Sequence, residues 1–434
     1  MSAGDTIVAL SSGAVPSGVA VIRLSGALTS ELVIDLTGSL QEPRRLRLSR
    51  IGLNGETVDT GLVAWMPGPQ SFTGEDCAEL QVHGSPAVVR ALLRGLAARK
   101  GVRLAEAGEF TRRAFENGKL DLVEAQGLGD LIVAETENQR VMAHARLDGG
   151  LTRRIVNWRE RLLDLRADIE AQLDFSDESD VTELDAGFGD AVAGLRRDIA
   201  EVLKHQNEGR IVRTGYRVVL AGPPNAGKSS LLNALSRSDV AIVSDEPGTT
   251  RDIKEVPLDL DGQLVILIDS AGLRETESKA EALGIDRARD AIASADLVLW
   301  LRAADQERGP EDTELSPKQR HLVIGTKADI GQVSGDLVVS TVTGDGIDAL
   351  ISELKAASGA GTVRAGDVLV SHEQDRIALQ AALEELDRVG PLLDAPELAA
   401  EGLRRAGASL ERLLGKMDAE SVLDHLFANF CIGK

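Results

Sequence analysis

The octapeptide Gly222-Pro223-Pro224-Asn225-Ala226-Gly227-Lys228-Ser229 constrains this chain more than any other stretch, because it is a complete G-x-x-x-x-G-K-S. It follows the apolar run Val218–Ala221 and precedes a helix-forming run, Ser229–Leu235. That strand–loop–helix setting is the one in which such a loop wraps a phosphate. Its glycines let backbone N–H groups turn toward an anion at a helix N-terminus, where the helix dipole adds to the attraction. On this reading Asn225, Ala226, Gly227, Lys228, Ser229 and Ser230 line a nucleoside triphosphate. Lys228 reaches the β- and γ-phosphates, and the Ser229 hydroxyl ligates Mg²⁺.

Such a loop implies a mostly parallel sheet around it. Leu264–Ile268, Leu297–Leu301, His321–Ile324 and Asp336–Val339 supply further apolar strands, interleaved with helix-like stretches such as Leu231–Leu235 and Ile347–Leu354. Strands buried on both faces and joined by crossover helices make a doubly wound α/β domain, here residues 213–361. Asp261-Gly262 between Val256–Leu260 and Leu264–Ile268 predicts a hairpin and one antiparallel edge strand.

Four motifs downstream of the loop fit nucleotide chemistry. Asp269-Ser270-Ala271-Gly272 ends a buried strand, so that Asp269 holds Mg²⁺ through water and the Gly272 N–H senses the γ-phosphate. In Gly248-Thr249-Thr250-Arg251-Asp252, Thr250 completes the Mg²⁺ shell. Taken singly, Asp269 serves equally well as a capping residue and Thr250 as a turn residue; in series after a phosphate loop, both read as functional. Thr326-Lys327-Ala328-Asp329 stands where N-K-x-D reads guanine. Its Asp accepts two N–H donors that adenine cannot match, which makes GTP the expected nucleotide, and Thr326 replaces the Asn. Ser340-Thr341-Val342 fits the last base-contacting loop.

The rest of the chain has two other textures. Before Gly118, short β-like runs (Thr6–Leu10, Val19–Leu24, Glu79–Val82) surround one good helix, Ser85 to Arg99, which reads as a small α/β or α+β domain. After it, Leu151, Ile155, Trp158, Leu162, Leu165 and Ile169 recur at spacings of three and four, one helical stripe. Arg153, Arg154, Arg159, Arg161 and Arg166 fall off that stripe as a solvated face. Helical texture returns after Gly361 with Ile377, Leu379, Leu383 and Leu386. The expected architecture is therefore multidomain, α/β plus α. An N-terminal domain spans 1–118, and a discontinuous helical domain occupies 119–212 and 362–434, interrupted by an inserted Ras-like, doubly wound G domain at 213–361.

Composition excludes several function classes. Of 434 residues, 48 are Lys or Arg and 69 are Asp or Glu, a net charge of −21. That balance argues against a basic nucleic-acid coat protein, since phosphate binding draws on clustered cations. Eleven aromatic residues are too few for a base-stacking platform. Two cysteines, Cys77 and Cys431, exclude a disulfide framework and most zinc sites, and Cys77 reads as core. With neither a charged-then-apolar leader nor an apolar run near 18 residues, the chain reads as soluble, cytoplasmic and free of membrane.

Across essentially its whole length the sequence resembles the MnmE (TrmE) family of tRNA wobble-uridine modification GTPases. The resemblance is carried by Pro224 to Asn233, by Gly248 to Asp252, and by Ala271-Gly272-Leu273-Arg274-Glu275. It extends to the block Gly108 to Leu122 and to the terminal Phe430-Cys431-Ile432-Gly433-Lys434. It implies a GTPase activated when two G domains of a homodimer meet around K⁺, a cation that offsets charge where an arginine finger otherwise sits. Asn225 supplies a side-chain oxygen to K⁺, and Ser244, Glu246 and Thr249 supply the share of the loop that also holds Asp245, Pro247 and Gly248. Glu275 orients the attacking water.

The resemblance further implies that the N-terminal domain dimerises and binds a reduced folate, 5,10-methylene- or 5-formyl-tetrahydrofolate, which delivers a one-carbon unit. Glu79 accepts from the pterin ring, while Arg23, Lys119 and Lys434 face polar or anionic parts of the ligand. Cys431 is tied to the modification of tRNA, as a nucleophile or as a packed thiol. Its tail imitates a prenylation box, but Gly433 and the terminal Lys434 speak against that. Val422, Leu423, Leu426, Phe427 and Phe430 form an apolar stripe that docks the tail. The implied partner is the flavin-dependent MnmG, in a heterotetramer or larger complex. No G-x-G-x-x-G follows a strand here, so FAD and NADH belong to that partner. The rivals are a ribosome-assembly GTPase, which calls for a basic RNA module that the sequence does not offer, and a folate-binding protein with a vestigial G domain.

Overall fold

The computed structural model describes residues 4–174, 187–242, 255–269, 290–306, 320–360, 364–392, 395–415, 426–428, 430, 432 and 433. Contacts group the chain into two compact units, one of residues up to 129 together with those from 408 onward, the other of residues 130–407.

The first unit is a six-stranded sheet with helices on it. Its strands are β1 (Thr6–Leu10), β2 (Ser17–Ser25), β3 (Arg47–Leu53), β4 (Glu56–Met66), β5 (Cys77–Gly84) and β6 (Val102–Leu104), in the order β3-β4-β5-β2-β1-β6. Helices α1 (Thr29–Thr37) and α2 (Pro86–Ala97) bring Leu32, Val33, Leu92 and Leu96 onto Val8, Ile22, Leu24 and Leu80. Helix α2 begins where Pro86 stands at a first-turn position, in which its missing N–H costs nothing. Cys77 is buried, as a core residue should be. The β3–β4 hairpin is absent from the strands read out of the sequence. It turns at Asn54-Gly55, both at positive φ (53° and 85°), a strong hairpin signal. Helices α3 (Glu109–Glu116) and α4 (Leu122–Ile132) follow, and the division between the units falls within α4.

The second unit starts with α5 (Glu137–Leu147), α6 (Gly150–Asp174), α7 (Phe188–Lys204) and α8 (Gln206–Thr214). All six residues of the sequence stripe lie on α6 and are buried, none more than 6% exposed. The parallel sheet then runs through β7 (Tyr216–Ala221), β8 (Glu255–Leu260), β9 (Gln263–Asp269), β10 (Leu297–Ala303), β11 (His321–Thr326) and β12 (Leu337–Val338). Helix α9 (Lys228–Leu235) follows β7, and α10 (Ile347–Ser358) follows β12. The order is β12-β11-β10-β7-β9-β8, every pair parallel except β8 with β9. Asp261 and Gly262 make the expected turn, at φ 54° and 85°.

Helix α11 (Glu373–Val389) and α12 (Pro396–Leu413) complete the fold. On α11 the buried apolar residues are Ala378, Leu379, Ala382, Leu386 and Val389. Ile377, named with Leu379 as a mark of helical texture, is 55% exposed. Two residues along a helix turn by about 200°, so the two positions cannot share a face.

A buried ionic cluster ties α5 to the start of α11. Arg146, fully buried, donates to the Leu369 carbonyl and to Asp375 Oδ2, the latter at 2.7 Å. His372 Nε2 lies 2.8 Å from Asp130 Oδ2, and Arg213, at the end of α8, donates to the Ser371 carbonyl at 3.0 Å. Burial opposes it most, yet the His372 hydrogen bond and the neighbouring cations hold the Asp130 carboxyl below its ordinary range.

Candidate functional site

At the C-terminal end of β7 the chain turns sharply into the loop. Gly222 has φ 135°, and a Cβ there would stand 2.5 Å from the Leu301 carbonyl oxygen of β10, so no larger residue fits. Asn225 adopts φ 62°, and Gly227, the N-cap of α9, adopts φ 93°. Lys228 folds back along the loop and donates to the Gly222 and Pro223 carbonyls, each at 2.8 Å. It is only 7% exposed, so its charge sits among backbone groups at a helix N-terminus. The Ser229 hydroxyl donates to Asp269 Oδ2 at 2.7 Å, across from the end of β9. Two hard oxygen donors, 40 residues apart in sequence, thus meet beside the loop, the ligand chemistry Mg²⁺ takes.

The segment that the sequence offers for base recognition is assembled at the ends of β10 and β11. Thr326 Oγ1 lies 2.7 Å from the Ala226 carbonyl and 3.0 Å from the Arg302 carbonyl. Lys327 has φ 58°, and its ammonium pairs with Asp305 at 2.7 Å. That hydrogen bond holds the Asp305 carboxyl below its usual range. Ser340 Oγ donates to Asp329 Oδ1 at 2.7 Å and accepts from the N–H groups of Val342 and Thr343. Thr341 lies between these in the same turn. Ser230 follows Ser229 in the first turn of α9. Gln306, which the sequence reading missed, donates from Nε2 to the Pro224 carbonyl at 2.6 Å, a contact that no local pattern announces.

Ser244, Asp245, Glu246, Pro247, Gly248, Thr249, Thr250, Ser270, Ala271, Gly272, Glu275, Cys431 and Lys434 lie outside the described residues, as do Val422 and Leu423.

In the first unit, antiparallel pairing of β2 with β5 sets Arg23 opposite Glu79. The guanidinium donates from Nε and Nη2 to Glu79 Oε1 at 3.1 and 2.9 Å. It also lies near the rings of Phe72 and Phe110, 5.6 and 5.8 Å from their centroids. The C-terminal tail reaches the same place. The Gly433 carbonyl accepts from Ser11 Oγ at 2.8 Å and faces Arg23 Nη1 at 3.5 Å, while Ile432 bridges to Ala107. Phe427 packs on Gly108 and Phe430 on Gly129, so these two members of the apolar stripe dock the tail. Lys119 Nζ donates to the Pro69 carbonyl at 3.0 Å, in the loop that also carries Phe72.

Below Arg23 a second ionic group stiffens α3. Glu109 accepts from Arg103 Nη1 at 2.8 Å and from Arg113 Nη2 at 3.0 Å, and Arg113 reaches on to Glu75 at 2.9 Å. Burial alone raises its pKa, but those bonds and the Glu106 N–H outweigh it and hold Glu109 below the ordinary carboxylate range. No helix among the described residues is long and apolar enough to cross a membrane.

Comparison with known proteins agrees along the whole chain. Residues 122–431 match the model of the MnmE helical domain, and residues 6–119 match that of the GTP-binding protein TrmE N-terminus. The tRNA modification GTPase MnmE of Methylorubrum populi is 50% identical over 439 residues, 99% of this chain and 98% of that protein. The protein of the same name from Rhizobium johnstonii is 48% identical over 440 residues, 99% of each. Among solved structures, the G domain of the T. maritima FeoB iron transporter matches at 26% identity and a TM-score of 0.24, over 33% of this chain and 98% of that one.

Proposed function

This chain belongs to the MnmE family of tRNA modification GTPases, and from that premise we propose that it is a K⁺-stimulated GTP hydrolase that, with the flavin-dependent partner MnmG, modifies C5 of the tRNA wobble uridine. The observation that carries the GTPase reading is the loop itself. Lys228 is pre-placed among the loop carbonyls, and the Ser229 hydroxyl meets the Asp269 carboxylate at 2.7 Å.

In this reading Lys228 and the loop N–H groups bind the β- and γ-phosphates, while Ser229, Thr250 and Asp269 would hold Mg²⁺, which would offset charge on the phosphate oxygens. Asn225, with Ser244, Glu246 and Thr249, would hold K⁺, which would supply positive charge to offset the negative charge that develops during hydrolysis. Glu275 orients the attacking water. Asp329 accepts from the guanine edge, assisted by the Ser340 turn. The sites form when two G domains of a homodimer meet, and the enzyme works in the cytoplasm.

Turnover in K⁺ against Na⁺, followed across protein concentration, tests this. Replacing K⁺ should slow hydrolysis roughly 100-fold, the effect of deleting one well-placed stabiliser of transition-state charge. Binding of GTP should hardly change. Equal rates in both salts at every concentration would remove the cation and the dimer from the mechanism.

The first unit is assigned a reduced folate that delivers the one-carbon unit transferred to the uridine. The reading is supported by a carboxylate, a guanidinium and two aromatic rings at one place, with the Gly433 carbonyl of the tail beside them. Glu79 and Arg23 bind the ligand there, with Lys119 on the neighbouring loop and Lys434 from the tail. Glu79→Ala should weaken 5-formyltetrahydrofolate at least about tenfold, because hydrogen bonds to a charged group contribute about 1.5–3 kcal/mol. Isothermal calorimetry showing wild-type affinity in that variant takes Glu79 out of the site. Cys431 is assigned to the modification step, and FAD and NADH act on the partner.

A further inference from the structure

Thr326 stands where the guanine-reading pattern carries Asn, and the exchange changes what the site can donate. An amide offers two N–H donors; a hydroxyl offers one, together with lone pairs that only accept. Here the single donor is already committed. Thr326 Oγ1 is 2.7 Å from the Ala226 carbonyl in the phosphate loop and 3.0 Å from the Arg302 carbonyl at the end of β10. The side chain is 3% exposed, so water does not offer an alternative. Both neighbours are acceptors, and neither can receive from Thr326 while it also donates elsewhere.

Guanine presents N7 as an acceptor on one edge, and N1–H with its 2-amino group as donors on the other. The first edge needs a donor that Thr326 no longer has. Two other N–H-bearing side chains nearby are also turned elsewhere, Lys327 to Asp305 and Gln306 to the Pro224 carbonyl. The second edge needs an acceptor, and Asp329 is one, held in place by Ser340 at 2.7 Å. Ser340 is itself 1% exposed and accepts two backbone N–H groups, so this half of the site is the rigid half.

We propose that this chain recognises guanine through its N1–H and 2-amino edge, leaves N7 unread, and uses Thr326 as a clamp between the base-reading strand end and the phosphate loop. The proposal rests on the GTP reading above and adds to it which atoms of the base are sensed. Thr326 is thus a positioning residue: it acts on phosphate affinity through the Ala226 carbonyl and has no part in base choice.

The test is a competition series against a ribose-labelled fluorescent GTP, with GTP, 7-deaza-GTP (C–H in place of N7) and ITP (no 2-amino group) as competitors. The intact protein should bind GTP and 7-deaza-GTP within about twofold of each other, and ITP at least tenfold more weakly. A tenfold loss for 7-deaza-GTP overturns the proposal, and so does ITP binding as well as GTP. Thr326→Val should weaken GTP and 7-deaza-GTP by the same factor, about tenfold, since a buried carbonyl loses its donor. Thr326→Ser should restore both. Were Val to weaken GTP alone, Thr326 would be reading N7 after all; were it to weaken neither, the clamp would be refuted. Failure of all three nucleotides to bind the wild-type protein sinks the GTP assignment itself, a separate result.

Discussion

Lys228→Ala is expected to lose GTP binding by two to four orders of magnitude, about 3–6 kcal/mol for two charge-assisted hydrogen bonds to phosphate. The geometry explains why the effect should be so large. Lys228 is 7% exposed and its ammonium donates to two backbone carbonyls of the loop, so it is held in place before any phosphate arrives. Phosphate oxygens offer those N–H groups a stronger acceptor than a neutral carbonyl does. Equilibrium dialysis with a non-hydrolysable GTP analogue measures the loss, and circular dichroism shows whether the fold persists. Micromolar affinity retained by the variant would refute the assignment of the loop.

The second large effect concerns stability. Asp375→Ala removes the carboxylate from Arg146 and leaves a guanidinium in a place where neither partner is more than 1% exposed. Removing one member of a buried pair typically costs about 3–5 kcal/mol, because the other charge stays desolvated. The double variant Arg146→Met, Asp375→Leu removes both charges and should lose less than the single one. Urea denaturation followed by circular dichroism orders the three proteins. A single variant as stable as the wild type, or a double variant weaker than the single, would show that the pair does not hold α5 to α11.

The parts of the fold that could be read from the chain are those written in local patterns. The phosphate loop needs only eight consecutive residues and their flanks, and the α6 stripe repeats every three or four residues over more than five turns. The parallel strands are short apolar runs, each bounded by loop residues. Where a pattern was misread, the physics is visible. The β3–β4 hairpin buries Ile51 and Val63 but leaves Leu48 at 67% and Leu62 at 37% exposure, so its apolar residues fall on both faces and mark no clean alternation, although Asn54-Gly55 announces the turn. On α11 the buried face is set by Leu379, Ala382 and Leu386, and Ile377, two residues before Leu379, is exposed.

The candidate site is another matter, because its contacts join residues far apart. Thr326 meets a carbonyl 100 residues away, Arg23 meets a carboxylate 56 away, and Gly433 reaches back 422 residues to Ser11. No spacing rule encodes such encounters; register between strands does. Asn, Thr and Asp at positions 225, 326 and 329 were recognisable as chemistry, but what each one touches follows only from the sheet. That the rings of Phe72 and Phe110 lie beside Arg23 had no signal in the sequence.

The return of the tail to the first strand has a consequence for the order of events during synthesis. A Cβ at Gly433 would stand 2.3 Å from the Leu10 carbonyl oxygen, so the two ends of the chain are fitted closely to each other. Residues 408 onward belong with the first 129, and at about 5–20 residues per second the ribosome takes roughly 15–55 s to translate what separates them. During that interval the nascent sheet must persist without the segment that later lies beside Arg23. The first unit to leave the ribosome is therefore the last to be completed.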